Sequence, residues 1–363
     1  MYFNGKISVT INGIELKTIV SISATNDSQH IGADCSVVVP LNCRIEYKNG
    51  KHDYLTQQAN VAFKSGDKIS IKAWYEGFQE VSVFEGYVAD FQLGNPTTIK
   101  CMDYIYHFNL GIFGNERVLI KKNKNSKKSA VQSIGCSFAS ITIKELLTKI
   151  IDFVNNTIDD ISENSDHVEL FEPVMEMTLV NITFPMMSPA AILDYLKKNI
   201  GINISLTGNK LYCNIASNTL SKVKYSTDRN VLTSGLQHPD AVFTKYKVKA
   251  WFLRNDGTKD SVEVGDDSGQ LKDVFFQNIT PRTEDNYKSL ASEALLKFKQ
   301  NRYSGTIETL LYPDCDLFWK AEYKDIRYPE KNGNYVITGN DINIDSNGYR
   351  RTIKLAYLSD IIQ

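Results

Sequence analysis

The residue types able to do chemistry are present but not arranged for it. Five histidines, His30, His52, His107, His167 and His238, are scattered along the chain. None stands in an HExxH arrangement or beside a cysteine placed as a nucleophile. The carboxylates form three groupings. Asp166-His167 sits in an acidic stretch, Gly265-Asp266-Asp267 reads as a turn, and Asp341, Asn343 and Asp345 alternate along an expected strand. Alternation puts the last three on one face, where a hydrated surface explains them better than a metal does. A glycosidase pair needs only convergence in space, so spacing neither supports nor excludes one. GxSxG, a phosphate loop and GxGxxG after a strand are all missing. Trp74, Trp251 and Trp319 could serve as sugar platforms, but aromatics in strands more often fill cores. No catalytic, cofactor-binding or metal-binding residue is assigned, no cofactor is expected, and the chain reads as a non-enzyme.

The six cysteines (Cys35, Cys43, Cys101, Cys136, Cys213 and Cys315) contain no CxxC pair. They read as small buried hydrophobes with free thiols in a reducing compartment. Over 363 residues, 41 basic and 42 acidic side chains leave a net charge of −1. A balance of that kind gives no overall basic footprint for gripping nucleic acid. The hydrophobic content of 42% supports real cores, and the length allows two or three domains. No apolar run has the length of a signal peptide core or a membrane span. The chain is therefore expected to be made and kept in a cytoplasm unless a machine exports it.

The elements that would position these residues are mostly strands. The stretch Gly66 to Met102 organises the N-terminal part. Ile69, Ile71 and Ala73 alternate with polar residues. Val81 to Leu93 forms a longer strand interrupted at Glu85-Gly86, and Ile99 and Cys101 resume after Gly94-Asn95-Pro96. A glycine inside a strand predicts a bulge that curves the sheet. Upstream, Ile7 to Ile11 and Ile14 to Leu16 flank Asn12-Gly13, a strong hairpin signal. Val20 to Ala24 and Cys35 to Val39 make two more strands. Asn42 to Ser65 is a polar excursion.

Near the C-terminus the same order returns. Leu317, Trp319, Ala321 and Tyr323 alternate, Tyr335 to Ile344 is a long strand broken at Gly339, and Ile353, Leu355 and Tyr357 close it. Two barrels built alike, from about Gly5 to Tyr106 and from about Asp240 to Tyr357, are expected to superpose. Between them the lysine-rich run Glu116 to Lys128 reads as a solvated linker. Thr142 and Glu145 form a capping box ahead of Ile143, Leu146, Leu147, Ile150, Ile151 and Val154 at helical spacing. Burying those six side chains is worth on the order of 10 kcal/mol gross. Asp159 to Glu176 holds seven acids and no Lys or Arg, and is read as a solvated loop. A second helix begins at Ser188-Pro189 and stops at Gly201, and a hairpin turns at Thr207-Gly208-Asn209. Thr283 caps a third helix whose apolar face is Tyr287, Leu290, Ala291, Ala294, Leu295 and Phe298. The fold class is mainly β with an α+β middle domain and two tandem small β-barrels. The expected domains are a first barrel over 1–109, the α+β domain over 110–217, and a second barrel with an inserted helix over 218–363.

In that order the elements resemble the baseplate hub proteins of phage tails and related injection machines. The resemblance is carried by the Gly66-Asp67 strand entry, Phe84-Glu85-Gly86-Tyr87-Val88, and Ile99-Lys100-Cys101-Met102-Asp103. Asn181-Ile182-Thr183-Phe184 through Ser188-Pro189 to Gly208-Asn209-Lys210-Leu211-Tyr212 resembles the family's helix-hairpin module. Gly333-Asn334-Tyr335-Val336-Ile337 and Gly348-Tyr349 resemble its second barrel. The resemblance implies a structural protein of the virion tail or baseplate, assembled in the host cytoplasm. It implies a homotrimer whose six barrels match a sixfold tail tube and whose underside accepts a central spike, alongside other baseplate proteins. Tape-measure protein and DNA would pass through the channel without sequence-specific nucleic-acid binding. The long excursion at Asn42 to Ser65 departs from the pattern. So does an end only a few residues after the last strand, which implies that any puncturing or lysin part is a separate chain. The alternatives are a tail-associated cell-wall hydrolase and a tail-tip carbohydrate-binding protein.

Overall fold

Alternation of apolar and polar residues runs through most of the chain, and in the computed structural model it gives one large sheet and several small ones. The structure describes residues 4–357 apart from 56–62, 93, 114–115, 120–130, 135, 162–166, 173, 175–176, 201, 203, 214–220, 238–244, 254–257, 278, 281–282 and 300–302. The chain divides into two compact units. The first comprises Met1–Tyr106, Ile215–Val242 and Gln300–Gln363, and the second His107–Asn214 and Phe243–Lys299.

The first unit holds a fifteen-stranded sheet. Gly5–Ile11 returns through Asn12-Gly13, both at positive φ (47° and 80°), into Ile14–Leu16. Two left-handed residues are what a tight hairpin turn requires. Lys68–Tyr75, Val81–Gln92 and Thr97–Met102 form an antiparallel meander, with Gly5–Ile11 against its first strand and Asp34–Val39 against its last. Ser21–Asp27 pairs with Asp34–Val39. Part of the polar excursion forms its own hairpin, Arg44–Glu46 with His52–Tyr54. Val9, Ile11, Val37, Ile69, Ile71, Val88 and Ile99 are fully buried at the centre of this module.

The expected interruption at Glu85-Gly86 is corrected. The register shifts opposite Ile71/Lys72 and again between Val88 and Asp90, whereas Gly86 stays in register with Ile69. Each bulge flips the parity of the strand. Inward positions therefore run Val81 and Val83, then Phe84, Gly86 and Val88. Gly86 is required for another reason: a Cβ there would stand 2.8 Å from Asp103 Cα and 2.9 Å from the Met102 carbonyl carbon.

A second module follows the same plan. Lys320–Lys324, Gly333–Asp345 and Gly348–Tyr357 form its meander. Ser304–Thr309 pairs with the last of these, and Val231–Ser234 with Ser304–Thr309. Lys222–Ser226 lies beside the first, in parallel where Gly5–Ile11 is antiparallel. This time the register shift falls at Ile337/Gly339, as the glycine predicts. The module thus begins at Lys222, upstream of the expected start near Asp240.

The two modules are joined through one ladder. Along the described ladders neither closes on itself, and Ser21–Asp27 pairs with residues Gly339 to Ile344 of the long strand. Ile342, Ile344, Leu311 and Tyr349 complete the core of the first module. A smaller core around Tyr225, Tyr323, Tyr335 and Leu355 fills the second.

The second unit is α+β. The helix Ile143–Ile161 is capped reciprocally: Glu145 N–H donates to Thr142 Oγ1 and Thr142 N–H to Glu145 Oε2, both at 3.1 Å. All six residues of its expected stripe are buried. Ser188 accepts from Ala191 N–H at the start of Pro189–Tyr195, which runs on into a wider turn at Leu196–Ile200. Ile204–Thr207 and Lys210–Cys213 form the expected hairpin. Residues of the second-barrel span also belong here. The strands Tyr246–Leu253, Lys259–Gly265 and Gln270–Gln277 expose an apolar face that the helix Glu284–Lys299 covers, with Tyr287 stacked on Phe252 at 3.9 Å. Within the second unit this helix thus has a sheet of its own to bury.

Candidate functional site

The residues flagged for chemistry do not converge. His167 Nε2 stands 2.8 Å from Asp159 Oδ1 on an exposed surface, while Asp166 lies outside the described residues. Asp266 is a turn residue, its carboxyl held at about 2 by the Ser268 hydroxyl and N–H and by Lys245. Asp341 sits 3.7 Å from Lys354, Asp345 closes a turn onto Asn347 N–H, and Asn343 points outward between them. Among the described residues no group of three His, Cys, Asp or Glu side chains could hold a metal ion, and no helix is long and apolar enough to cross a membrane. Of the other histidines, His107 is buried, which lowers it to about 4. His52 faces Glu46 at 3.9 Å, and His238 is not described. Trp74, Trp251 and Trp319 are each half-buried. Trp251 donates to Asp273 at 2.8 Å beneath Lys249 and stacks on Phe275. The lysine run Lys121 to Lys128 lies outside the described residues.

The buried charged groups are occupied with holding loops. Asp103 accepts from Ala33 N–H at 2.8 Å and Ile105 N–H at 2.9 Å, tying the end of the first meander to the loop before Asp34–Val39. Burial nevertheless pushes its carboxyl up to about 7, with Asp34 and Asp316 adding to the rise. Asp325 takes the N–H groups of Arg327 and Tyr328. Arg351 is fully buried, and its guanidinium donates to Asp314 Oδ1 at 2.9 Å and to the Pro313 carbonyl at 3.3 Å. A charge so placed is costly without partners. All of these contacts serve structure.

What the fold does build is a junction and two strand edges. At the junction the long strand changes partner: Gly333 to Val336 pair with Lys320–Lys324, and beyond the bulge Gly339 to Ile344 pair with Ser21–Asp27. Lys354 clamps the changeover with its ammonium 2.5 Å from Asp27 and 3.7 Å from Asp341. Burial opposes ionisation of Asp27, yet the Lys354 ammonium and Gln29 N–H outweigh it and hold the carboxyl below its usual range. The aromatic rings of Tyr75 and Tyr349 stack at 5.5 Å across the same boundary.

One edge belongs to Val231–Ser234, which among the described residues pairs only with Ser304–Thr309. Beside it lies an open cleft of about 450 Å³ lined by Leu232, Ile326, Tyr328, Asp228 and Arg327. Leu232, Ile326 and Tyr328 are 49%, 56% and 53% exposed, three large apolar side chains set among the polar residues of the cleft. The other edge is the end of Val81–Gln92, past the point where Lys68–Tyr75 stops pairing with it. Two of its polar groups are met locally: Ser65 Oγ donates to the Ala89 carbonyl, and Asp90 Oδ1 accepts from Phe91 N–H.

No protein-family model matches this chain, and no curated protein matches it. Solved structures do. The 43 kDa tail protein of prophage MuSo2 from Shewanella oneidensis aligns over 97% of this chain and 98% of its own, at 13% identity and a TM-score of 0.60. A tail protein from Neisseria meningitidis MC58 aligns over 99% and 98%, at 10% identity and a TM-score of 0.62. The Escherichia coli c3393 protein is described as a component of the type VI secretion system with structural similarity to the T4 bacteriophage tail proteins gp27 and gp5. It aligns over 97% of this chain and 77% of its own, at 7% identity and a TM-score of 0.55. The chain has the fold of these phage-tail-type proteins over nearly its whole length.

Proposed function

We propose that this chain is a structural hub protein of a phage-type tail or baseplate. In this reading three copies form a closed ring in which six barrel-type modules meet the tail tube. The opposite face holds the central spike, and DNA and tape-measure protein pass through the channel. The observation that carries the proposal is the repetition: two modules with one strand order and matching bulges, fused into a single sheet. A chain with two like units is what a threefold ring needs to meet a sixfold one. The fold shared with tail proteins supports the same reading.

The chain-order division is part of the proposal. It has a first barrel over 1–109, an α+β domain over 110–217 and a second barrel over 218–363, the last carrying the insertion that packs into the α+β unit. The site of action is the virion tail, after assembly in the host cytoplasm. The reading includes no catalytic step. Light scattering of the purified chain together with negative-stain images tests it. A particle of three chains with a central hole is expected. A single-chain particle at high concentration, unchanged by tube or spike protein, would overturn it. The carbohydrate-binding alternative rests on the half-exposed Trp251 and Phe275 pair. It gains only if a glycan array shows binding that is lost in Trp251→Ala.

A further inference from the structure

The junction inside the chain shows how one module joins the next, and its two ends are left open. The modules align residue by residue through their ladders. Val88 accepts from Gly66 N–H and donates to the Asp67 carbonyl, and Ile337 does the same with Phe318 and Trp319. Gly66 and Phe318, the matched donors, are both at positive φ, 92° and 64°. For Phe318 that conformation is uncommon enough to mark true equivalence. From this anchor Asp90 matches Gly339 and Gln92 matches Asp341, because each follows the same bulge one step past Val88 or Ile337. On the other side Ser21 matches Thr233, and Thr25 matches Gln237, since they pair with equivalent positions of Asp34–Val39 and Ser304–Thr309.

Within the chain, Ser21–Asp27 of the first module adds to the long strand of the second, with Thr25 opposite Asp341. The complementary pair of edges is Val231–Ser234, continuing to Gln237, and the end of Val81–Gln92. Among the described residues neither has a strand on its outer side. We infer that these two edges are the subunit interface. The Val231 to Gln237 strand of one copy adds to the Ala89 to Gln92 edge of the next, in the register already used inside the chain, so that Gln237 of one copy faces Gln92 of another. The inference rests on the hub reading and specifies its contact.

The occupant is a second copy because the chain itself holds both halves of the joint, each the counterpart of a half already joined. The contact is head-to-tail, which closes into a ring or runs on as a filament. The acceptor edge is short, three residues past the bulge where its counterpart has seven. A few ladder bonds, each worth about 0.5–1.5 kcal/mol net, do not hold two proteins together. The apolar surface of Leu232, Ile326 and Tyr328 beside the donor strand supplies what the ladder lacks.

Directly opposed residues of an antiparallel pair lie about 4.5–5.5 Å apart at Cα, within disulfide reach. The test uses the full chain carrying Cys136→Ser with Gln92→Cys and Gln237→Cys, oxidised gently and run on a denaturing gel, beside Gln92→Cys with Thr233→Cys as the out-of-register control. All variants are first matched to the parent by circular dichroism and melting. Covalent dimers and trimers holding most of the chain, with none larger, are expected for the register pair alone. Trimers seen by light scattering without register-specific bridging would overturn the interface and leave the hub reading standing. Ladders running past the trimer would support the interface and overturn the closed ring. Monomers with no bridging, at high concentration and with tube or spike protein added, would overturn both.

Discussion

Replacing Gly86 by Ala separates two explanations of one glycine. Were Gly86 present to supply a flexible break in its strand, alanine would be harmless there. By narrowing the unfolded ensemble it would even stabilise, by about 0.4–1 kcal/mol. The structure gives the opposite sign. The added methyl would meet the Met102 carbonyl oxygen, with Asp103 Cα at 2.8 Å and the Met102 carbonyl carbon at 2.9 Å. All three are backbone of the neighbouring strand and cannot rotate away. Overpacking of this kind costs about 1–3 kcal/mol, and for a unit of this size each kcal/mol lowers the melting temperature by about 2–4 °C. Gly86→Ala should therefore melt about 2–12 °C below the parent in scanning calorimetry. Gly339→Ala is the internal comparison. Its Cβ would meet Lys354 Cδ at 2.6 Å, Cγ at 3.0 Å and Cβ at 3.1 Å, so this side chain yields only by loosening its hold on Asp27. A smaller shift than at Gly86 is expected, because a side chain can move where backbone cannot. A Gly86→Ala protein melting at or above the parent would refute the close-approach argument, and equal losses at the two sites would refute the distinction between backbone and side-chain walls.

Three further perturbations follow from the packing. Leu147→Asp puts a carboxylate at a fully buried position of the capped helix and should unfold the second unit, lost near-ultraviolet dichroism being the readout; an unchanged melt would make that stripe a partner-facing surface. Asp103 titrates near 7 in the fold against an ordinary 3.8, so the fold binds its proton more tightly than the unfolded chain. The stabilisation is full below about 3.8 and is lost as pH rises through 7. The urea midpoint should fall between pH 5 and pH 8, and Asp103→Asn should flatten that slope. Five of the six thiols are buried, with Cys101 pushed up to about 12 by burial, so a thiol reagent should label Cys136 rapidly and the others only on unfolding.

Local signals carried far into this fold. Asn12-Gly13 specified its hairpin, Thr142 and Glu145 their helix start, and Ser188-Pro189 the next, because each encodes backbone geometry within four residues. The fold class and the repeated meander were legible for the same reason: alternation is local. The bulge at Gly339 was legible from its glycine, but those of Val81–Gln92 were not, since a bulge is a property of two strands and Gly86 reports only its own lack of a Cβ. Val223 and Tyr225 alternate with Lys222 and Lys224 over only five residues, too short a run to extend the superposable span upstream of Asp240, although the domain bounds 218–363 include it. The packing of Phe243–Lys299 into the second unit was hidden because the strand face that its helix covers is assembled from separated segments. The junction and its matching edges were out of reach for a related reason. An edge is defined by what does not pair with it, and a sequence holds no record of that.

Exposed strand edges are a liability, and natural proteins blunt them. Here the blunting is uneven in an informative way. The edge past Val88 is closed by its own neighbours, with Ser65 on the Ala89 carbonyl and Asp90 on Phe91 N–H. These are single side-chain bonds that an incoming strand can replace at little net cost, since one hydrogen bond is exchanged for another. The opposite edge has Leu232 exposed beside it, an apolar residue where a charge would protect better. At the internal junction the counterparts of both edges are joined, and there the same backbone positions carry a ladder, two buried isoleucines and a lysine clamp. An edge kept apolar on one side and lightly capped on the other is poorly made for solitary existence. It is well made for a joint that forms only when the matching edge arrives in register.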